Sequence, residues 1–189
     1  MSLEFLPKKY SLKSGHSITI RPPAQEEAEA LVNLKRSYIE NATTIPLTLK
    51  EYPRDIIKEQ KLIADYNQSP NSILLVSEIN SELIGNIDLS GSKRSKMSHT
   101  AMIGMGIKED WRNQGLGTYL IEAVIDWAKN YSDLELIWLD VYASNEAGLK
   151  LYKKTGFKVS GTIEGFFKEE DGYKGKVQMY RHIKSRKSL

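Results

Sequence analysis

The stretch Ile107-Lys108-Glu109-Asp110-Trp111-Arg112-Asn113-Gln114-Gly115-Leu116-Gly117-Thr118 constrains the fold more than any other. Before it, Thr100 to Ile107 alternates Ala101, Ile103, Met105 and Ile107 against Met102, Gly104 and Gly106, which predicts a strand. After it, Leu116, Leu120, Ile121, Val124, Ile125 and Ala128 form an apolar stripe at helical spacing, predicting a helix over 116–130. Leu136 to Tyr142 is then apolar on both faces apart from Asp140, as expected of a central strand covered by helices. Strand, polar turn, helix and buried strand in succession demand a mixed α/β fold with a crossover.

The rest of the chain extends that sheet. Lys9 to Ile20 reads as a hairpin around Ser14-Gly15, ended by Pro22-Pro23. Gln25 to Asn41 predicts a helix burying Ala28, Leu31, Val32, Tyr38, Ile39 and the stem of Lys35. A second helix, Arg54 to Tyr66, is expected to bury Ile56, Ile57, Ile63, Ala64 and the stem of Gln60. Ser72 to Ile79 and Leu83 to Leu89 pair as a hairpin, and the basic loop Ser90 to Ser98 follows. Asn145 to Thr155 is a short helix stopped by Gly156, and Phe157 to Ile183 forms strands around a turn at Glu169 to Gly172. The order βααβββαβαββ predicts an α/β (α+β) fold, a mostly antiparallel sheet flanked by helices. No repeat or linker divides it, so one domain over residues 1–189 is expected, with a hairpin extension at 1–17 and a tail at 184–189.

Composition removes several chemistries. The chain has 189 residues and no cysteine, which excludes disulfides, a thiol nucleophile and thiolate zinc sites. A net charge of +3, from 27 basic and 24 acidic residues, is too mild to argue for nucleic acid. The one basic cluster, Arg181, Lys184, Arg186 and Lys187, reads as a solvated tail. The longest apolar runs, such as Ile73 to Val76, fall far short of a membrane span, and Met1 to Lys13 lacks a signal-peptide core. No metal, no membrane and a cytoplasmic location are the expectations.

The glycine-bearing turn is an anion cradle. The first-turn N–H groups of a helix have no partner inside it, and glycine lets a phosphate approach the backbone. Arg112 and the side chains of Asn113 and Gln114 add donors. No lysine follows either glycine, so it is not a Walker loop. A dinucleotide fingerprint fails too, because position 120 is leucine and a polar stretch separates the glycines from the strand. The competing explanation is a tight turn with no ligand. A second element shifts the balance: Asn145, Gly148 and Tyr152 fall on one face of the later helix, where an amide, a bare glycine and a phenol suit a ligand.

Together the two elements resemble the GNAT N-acetyltransferase superfamily. Its Arg/Gln-x-x-Gly-x-Gly/Ala motif is matched by Arg112, Gly115 and Gly117, and its Asn-x-x-Ala-x-x-x-Tyr…Gly-Phe motif by Asn145, Tyr152, Gly156 and Phe157, with Gly148 in place of the alanine. Asp171-Gly172-Tyr173 with Met179 resembles the branch that holds ribosomal-protein and small-amine acetyltransferases. The resemblance implies acetyl-CoA as co-substrate, in a cleft where the strands at 100–107 and 136–142 splay, with a β-bulge near Met105-Gly106. It implies that the N–H of Met105 or Ile107 holds the thioester carbonyl and stabilises the oxyanion. The pyrophosphate would lie on the N–H groups of Asn113, Gln114, Gly115, Leu116, Gly117 and Thr118, and Asn145 would bond the pantetheine arm. Tyr152 would protonate the leaving thiolate.

The attacking amine must lose a proton, and here this sequence departs from the family. Many relatives carry glutamate where this chain has Met102. His99, Asp88 and Asp140 remain as candidate bases. Acceptor specificity is expected from Tyr38 to Arg54 and from Ile163 to Val177. The acceptor is a primary amine of a small molecule or a protein N-terminus, and a homodimer is compatible with this reading. Without a cysteine to carry the acetyl group, direct transfer is the simpler route. A non-catalytic acyl-CoA sensor of the same fold is the alternative.

Overall fold

The structure is a computed structural model, and it describes residues 5–184. The expected opening Met1-Ser2-Leu3, and Arg186 and Lys187 of the basic tail, lie outside the described residues. Eight strands form one sheet in the order β1-β2-β3-β4-β5-β6-β8-β7. They are β1 (Lys8–Ser11), β2 (Ser17–Arg21), β3 (Ile73–Ile79), β4 (Glu82–Gly91), β5 (Thr100–Ile107), β6 (Leu136–Tyr142), β7 (Lys158–Glu169) and β8 (Gly172–His182). Helices α1 (Ala28–Ile39) and α2 (Ile56–Asn67) join β2 to β3, α3 (Leu116–Tyr131) joins β5 to β6, and α4 (Glu146–Lys154) joins β6 to β7. Every pairing is antiparallel except β5–β6, whose crossover is α3.

Helices cover both faces of the first half of the sheet. Leu74 and Val76 of β3 pack under α1 and α2 with Leu31, Leu34 and Ile63. Leu75 and Ile87 on the opposite face pack with Leu120, Ile121 and Val124 of α3. This two-sided burial explains why β3 and β4 read as almost unbroken apolar runs. Two details differ from the helical pattern. Ile57 is 79% exposed and Gln60 is also exposed, because α2 turns Glu59 and Ile63 inward instead. The buried Glu59 is satisfied by the Lys35 ammonium (2.7 Å) and the Tyr52 hydroxyl (2.7 Å).

The β1–β2 hairpin is more than an extension. Phe5 and Leu12 enter the main core, Tyr10 stacks on Tyr119 of α3 (4.7 Å), and Lys8 pairs with Asp126. Gly15 makes its turn at φ +85°. The expected solvated basic tail is also corrected: Arg181 donates to the Thr155 carbonyl and Lys184 to the Ser132 carbonyl.

The cleft arises differently from expectation. The β4–β5 register runs unbroken from Gly85↔Ile107 to Gly91↔Ala101, so there is no bulge at Met105-Gly106. Instead β5 pairs with β6 only over Thr100–Met102, and the strands part beyond that point. The Lys108 N–H donates to the Ile84 carbonyl (3.0 Å) and the Ser92 N–H to the Thr100 carbonyl (3.1 Å), which fixes the phase of the ladder. Even-numbered residues of β5 therefore bond β4 and odd-numbered ones face β6; the Met102↔Trp138 bridge takes up the Ile103 N–H, and those of Met105 and Ile107 point into the splay. Simple divergence frees the donors that a bulge was expected to free.

Candidate active site

The loop after β5 is held open by two left-handed residues, Asn113 (φ +62°) and Gly115 (φ +93°), the second being the N-cap of α3. Asparagine tolerates that region and glycine occupies it without cost, so the sequence encodes the turn locally. Thr118 and Tyr119 N–H groups donate to the Gly115 carbonyl (3.0 and 3.3 Å). Thr118 is thus removed from the expected cradle. The N–H groups of Asn113, Gln114, Gly115, Leu116 and Gly117 have no backbone acceptor among the described residues. They stand at the positive end of a 16-residue helix, which suits a pyrophosphate. Arg112 is exposed beside them, its Nε donating to the Ile107 carbonyl (3.2 Å).

Two cradle residues have other duties. The Gln114 side chain donates to the Asp110 carbonyl (3.0 Å) and accepts from Ser14 of the hairpin (2.5 Å), so it clamps the loop and keeps one N–H of its amide uncommitted. His16 sits edge-on to Trp111 (5.4 Å), and the Lys13 N–H donates to the Gln114 carbonyl (3.1 Å). The turn of the hairpin is therefore the outer wall of the loop. Gly117 serves packing: a Cβ there would sit 2.7 Å from Leu151 Cδ2 of α4 and 3.5 Å from Met105 Cε. Its bareness lets α4 close against α3, while its N–H stays free.

On α4, Asn145 caps the helix by accepting from the Gly148 N–H (2.9 Å). A Cβ on Gly148 would meet that amide at 2.8 Å, which ties the two positions together. The Asn145 Nδ2 keeps its donor capacity for a ligand. Tyr152 is half-buried, edge-on to Phe157 (5.8 Å), and its hydroxyl has no hydrogen-bond partner among the described residues. Burial pushes its pKa up to about 12, so it holds its proton throughout the neutral range and is excluded as a base.

The opposite face of β4 and β5, under α1 and α2, is polar. Gly106 lies directly against the Tyr38 ring, whose hydroxyl donates to Asn86 (3.0 Å). Asp88, the register partner of Gly104, accepts from Tyr66 (3.2 Å) and Ser90 (3.2 Å). Burial raises the Asp88 pKa, an effect opposed by the charge of Lys35. The other candidate bases are displaced. His99 is exposed at the end where β5 and β6 are paired, away from the splay. Asp140 is occupied by Lys176 (2.9 Å) and Gln178 (3.3 Å). Met102 is exposed on the same face and carries no titratable group. The tyrosine wall had a signal in the sequence: two glycines alternate on one strand face beneath two tyrosine-bearing helices.

The far wall comes from β6 and the β7–β8 hairpin. Phe167 stacks on Tyr142 (3.8 Å, 5°), the Tyr142 hydroxyl donates to Glu169 (2.5 Å), and Lys176 lies over the Phe166 ring (4.0 Å). The β7–β8 register shifts between Ile163 and Phe167, where Gly165 has φ +66°, and this throws Phe166 half into solvent. Both segments expected to set acceptor specificity thus border the splayed end of the sheet.

Comparison with known proteins agrees with this geometry. The model of the acetyltransferase (GNAT) family matches residues 38–157. The L-amino acid N-acetyltransferase of Escherichia coli is 30% identical over 111 residues, 59% of this chain and 66% of that one. The ribosomal protein bS18 alanine N-acetyltransferase of the same organism is 28% identical over 83 residues, 44% of this chain and 55% of that one. The chain thus spans less than two thirds of either relative. A GNAT-family acetyltransferase from Streptococcus pneumoniae superposes with a TM-score of 0.85 at 23% identity, over 88% of this chain and 99% of that chain. A GNAT-superfamily phosphinothricin acetyltransferase from Sinorhizobium meliloti, solved with acetyl-CoA, gives 0.75 at 13% identity, over 87% of this chain and 88% of that chain. The family match runs from the tyrosine wall through the splayed strands to the end of α4, and the chain belongs to the acetyltransferase (GNAT) family.

Proposed function

We propose that this protein is an acetyl-CoA-dependent N-acetyltransferase that passes the acetyl group directly to a primary amine of a small molecule or a protein N-terminus. The observation that carries the proposal is the set of N–H groups left without a ladder partner, those of Met105 and Ile107 in the splay and of Asn113–Gly117 at the start of α3. The first set suits a thioester carbonyl and the second a pyrophosphate. Bound there, acetyl-CoA supplies an activated acyl group. Met105 and Ile107 would polarise its carbonyl, Arg112 and the cradle N–H groups would hold its phosphates, and the Asn145 Nδ2 would hold its arm. Tyr152, with a free and protonated hydroxyl, would donate to the departing sulfur. The relatives named for amino acids and for a ribosomal protein support an amine acceptor without choosing between the two classes.

The test is thiol release from acetyl-CoA against a panel of free amino acids and N-terminal peptides. Tyr152→Phe is expected to lower kcat about 100-fold with little change in the Kd for acetyl-CoA. An unchanged kcat would remove Tyr152 from the chemistry. Tight acetyl-CoA binding with no turnover on any amine would instead favour the non-catalytic module. The cytoplasm is the compartment that goes with an acetyl-CoA enzyme, and light scattering would test for the homodimer.

A further inference from the structure

We propose that Asp88 is the general base for the acceptor amine, presented from β4 across Gly104 in place of a carboxylate on β5. The inference rests on the acyltransferase reading above. It starts from register: Asp88 pairs with Gly104, two residues beyond Met102, the last position at which β5 still pairs with β6. Asp88 therefore stands at the first open level of the splay. Met105, the residue after Gly104, turns its N–H into the gap, while the Ile103 N–H closes the last β5–β6 bridge. A carboxylate and a carbonyl-polarising donor are thus brought to neighbouring positions.

Gly104 makes the arrangement possible. A Cβ there would lie 2.9 Å from Asp88 Oδ1 and 3.4 Å from Oδ2, so any side chain would push the carboxylate away. Gly106, on the same face, admits the Tyr38 ring in the same manner. Two glycines on one strand face weaken a strand, and here they leave room for the Asp88 carboxylate and the Tyr38 ring. Polar side chains extend from Asp88 and Tyr66 past Tyr38 and Asn86 to the Lys35–Glu59–Tyr52 cluster between α1 and α2.

The bonding state of Asp88 also fits. Among the described residues no cation lies within ion-pairing distance of it, and its side-chain partners are the hydroxyls of Tyr66 and Ser90. Those two hydroxyls also bond each other (2.5 Å), so they can reorient as the carboxylate gains and loses a proton. Glu59 and Asp140, by contrast, are each held by a lysine. Burial raises the Asp88 pKa, which improves its match to a base working near neutrality. The titratable and charged groups facing it are Lys35 and Tyr38 from α1, and Glu59 and Tyr66 from α2. β5 contributes none, since its residues on this face are Met102, Gly104 and Gly106; the Asp140–Lys176 pair lies farther along the same sheet face.

The proton balance follows. The ammonium form of the acceptor gives one proton to the Asp88 carboxylate, which returns it to solvent. The freed nitrogen lone pair forms the C–N bond as the C–S bond breaks. Tyr152 protonates the sulfur and is reprotonated, through water, by the second nitrogen proton. The products are the amide, the free thiol and one proton in water.

Three measurements test the assignment. Asp88→Asn is expected to lower kcat/KM for an accepted amine at least 100-fold while the Kd for acetyl-CoA stays within twofold. It should also abolish the acid limb of the pH–rate profile, and Asp88→Glu should restore part of the rate. In the ligand-free protein, the carboxyl 13C resonance that disappears in Asp88→Asn should titrate above the ordinary aspartate range. Wild-type-like activity with the acid limb intact in Asp88→Asn would overturn the proposal. So would a carboxyl that titrates at or below the ordinary value, a readout available even if Asp88→Asn folds poorly. A wild-type protein that releases no thiol with any amine is a different result, and overturns the acyltransferase reading itself.

Discussion

At the residue scale, the site depends on where side chains are missing. Gly106 supports the Tyr38 ring at contact distance, so Gly106→Ala must displace the ring or lift α1. It is expected to cost about 1–3 kcal/mol of stability by urea unfolding and to weaken the amine KM more than the Kd for acetyl-CoA. Gly115 is different: a Cβ there would touch only Tyr119, at 3.9 Å, but φ is +93°. Gly115→Val therefore acts through backbone strain of about 1–2 kcal/mol and should abolish measurable acetyl-CoA binding by calorimetry, since relief of the strain rotates the cradle N–H groups. Gly115 and its role were legible in the sequence, because a glycine before an apolar helical stripe announces a turn. Gly106 stood out in the sequence as one of two glycines on a strand face, but what it makes room for did not, because those atoms arrive from Tyr38, far away in the chain.

At the element scale, the β1–β2 hairpin and the cradle loop behave as one unit. Ser14 bonds Gln114, the Lys13 N–H bonds the Gln114 carbonyl, and His16 meets Trp111. One such hydrogen bond is worth about 0.5–1.5 kcal/mol. Ser14→Ala should therefore raise the Kd for acetyl-CoA a few-fold by calorimetry and leave kcat nearly unchanged; an unaltered Kd would mean that the hairpin is mere packing. The hairpin itself followed from its alternation and Ser14-Gly15, but its partner did not, since nothing local says that Ser14 meets Gln114. The cleft shows the same division. Both strands were legible from their periodicity, whereas the end of their pairing after Met102 is a matter of tertiary register that no local pattern encodes.

At the scale of the molecule, buried charge sets the pH response. Arg21 of β2 ties Glu27, before α1, to Glu78 of β3, at 2.6 and 2.5 Å. The guanidinium holds the Glu27 pKa below its ordinary value, so this pair stabilises the fold above the ordinary glutamate pKa. That contribution, about 1 kcal/mol at a partly exposed site, is lost as pH falls from the unfolded toward the folded pKa. Urea midpoints should drop across that acid range, and Glu27→Gln should lower the midpoint at pH 7 while flattening the drop. By itself the sequence determined the elements, their order, the cradle loop and the helix carrying Asn145 and Tyr152, because period, capping and turn chemistry are local. Tertiary structure alone decided that Gln114 clamps the loop, that divergence replaces a bulge, and that Asp88 lies beside Gly104 while Asp140 is tied to Lys176 and His99 sits at the paired end. Those outcomes depend on strand register and on helices packing across the sheet, where the residues that meet are distant in the chain.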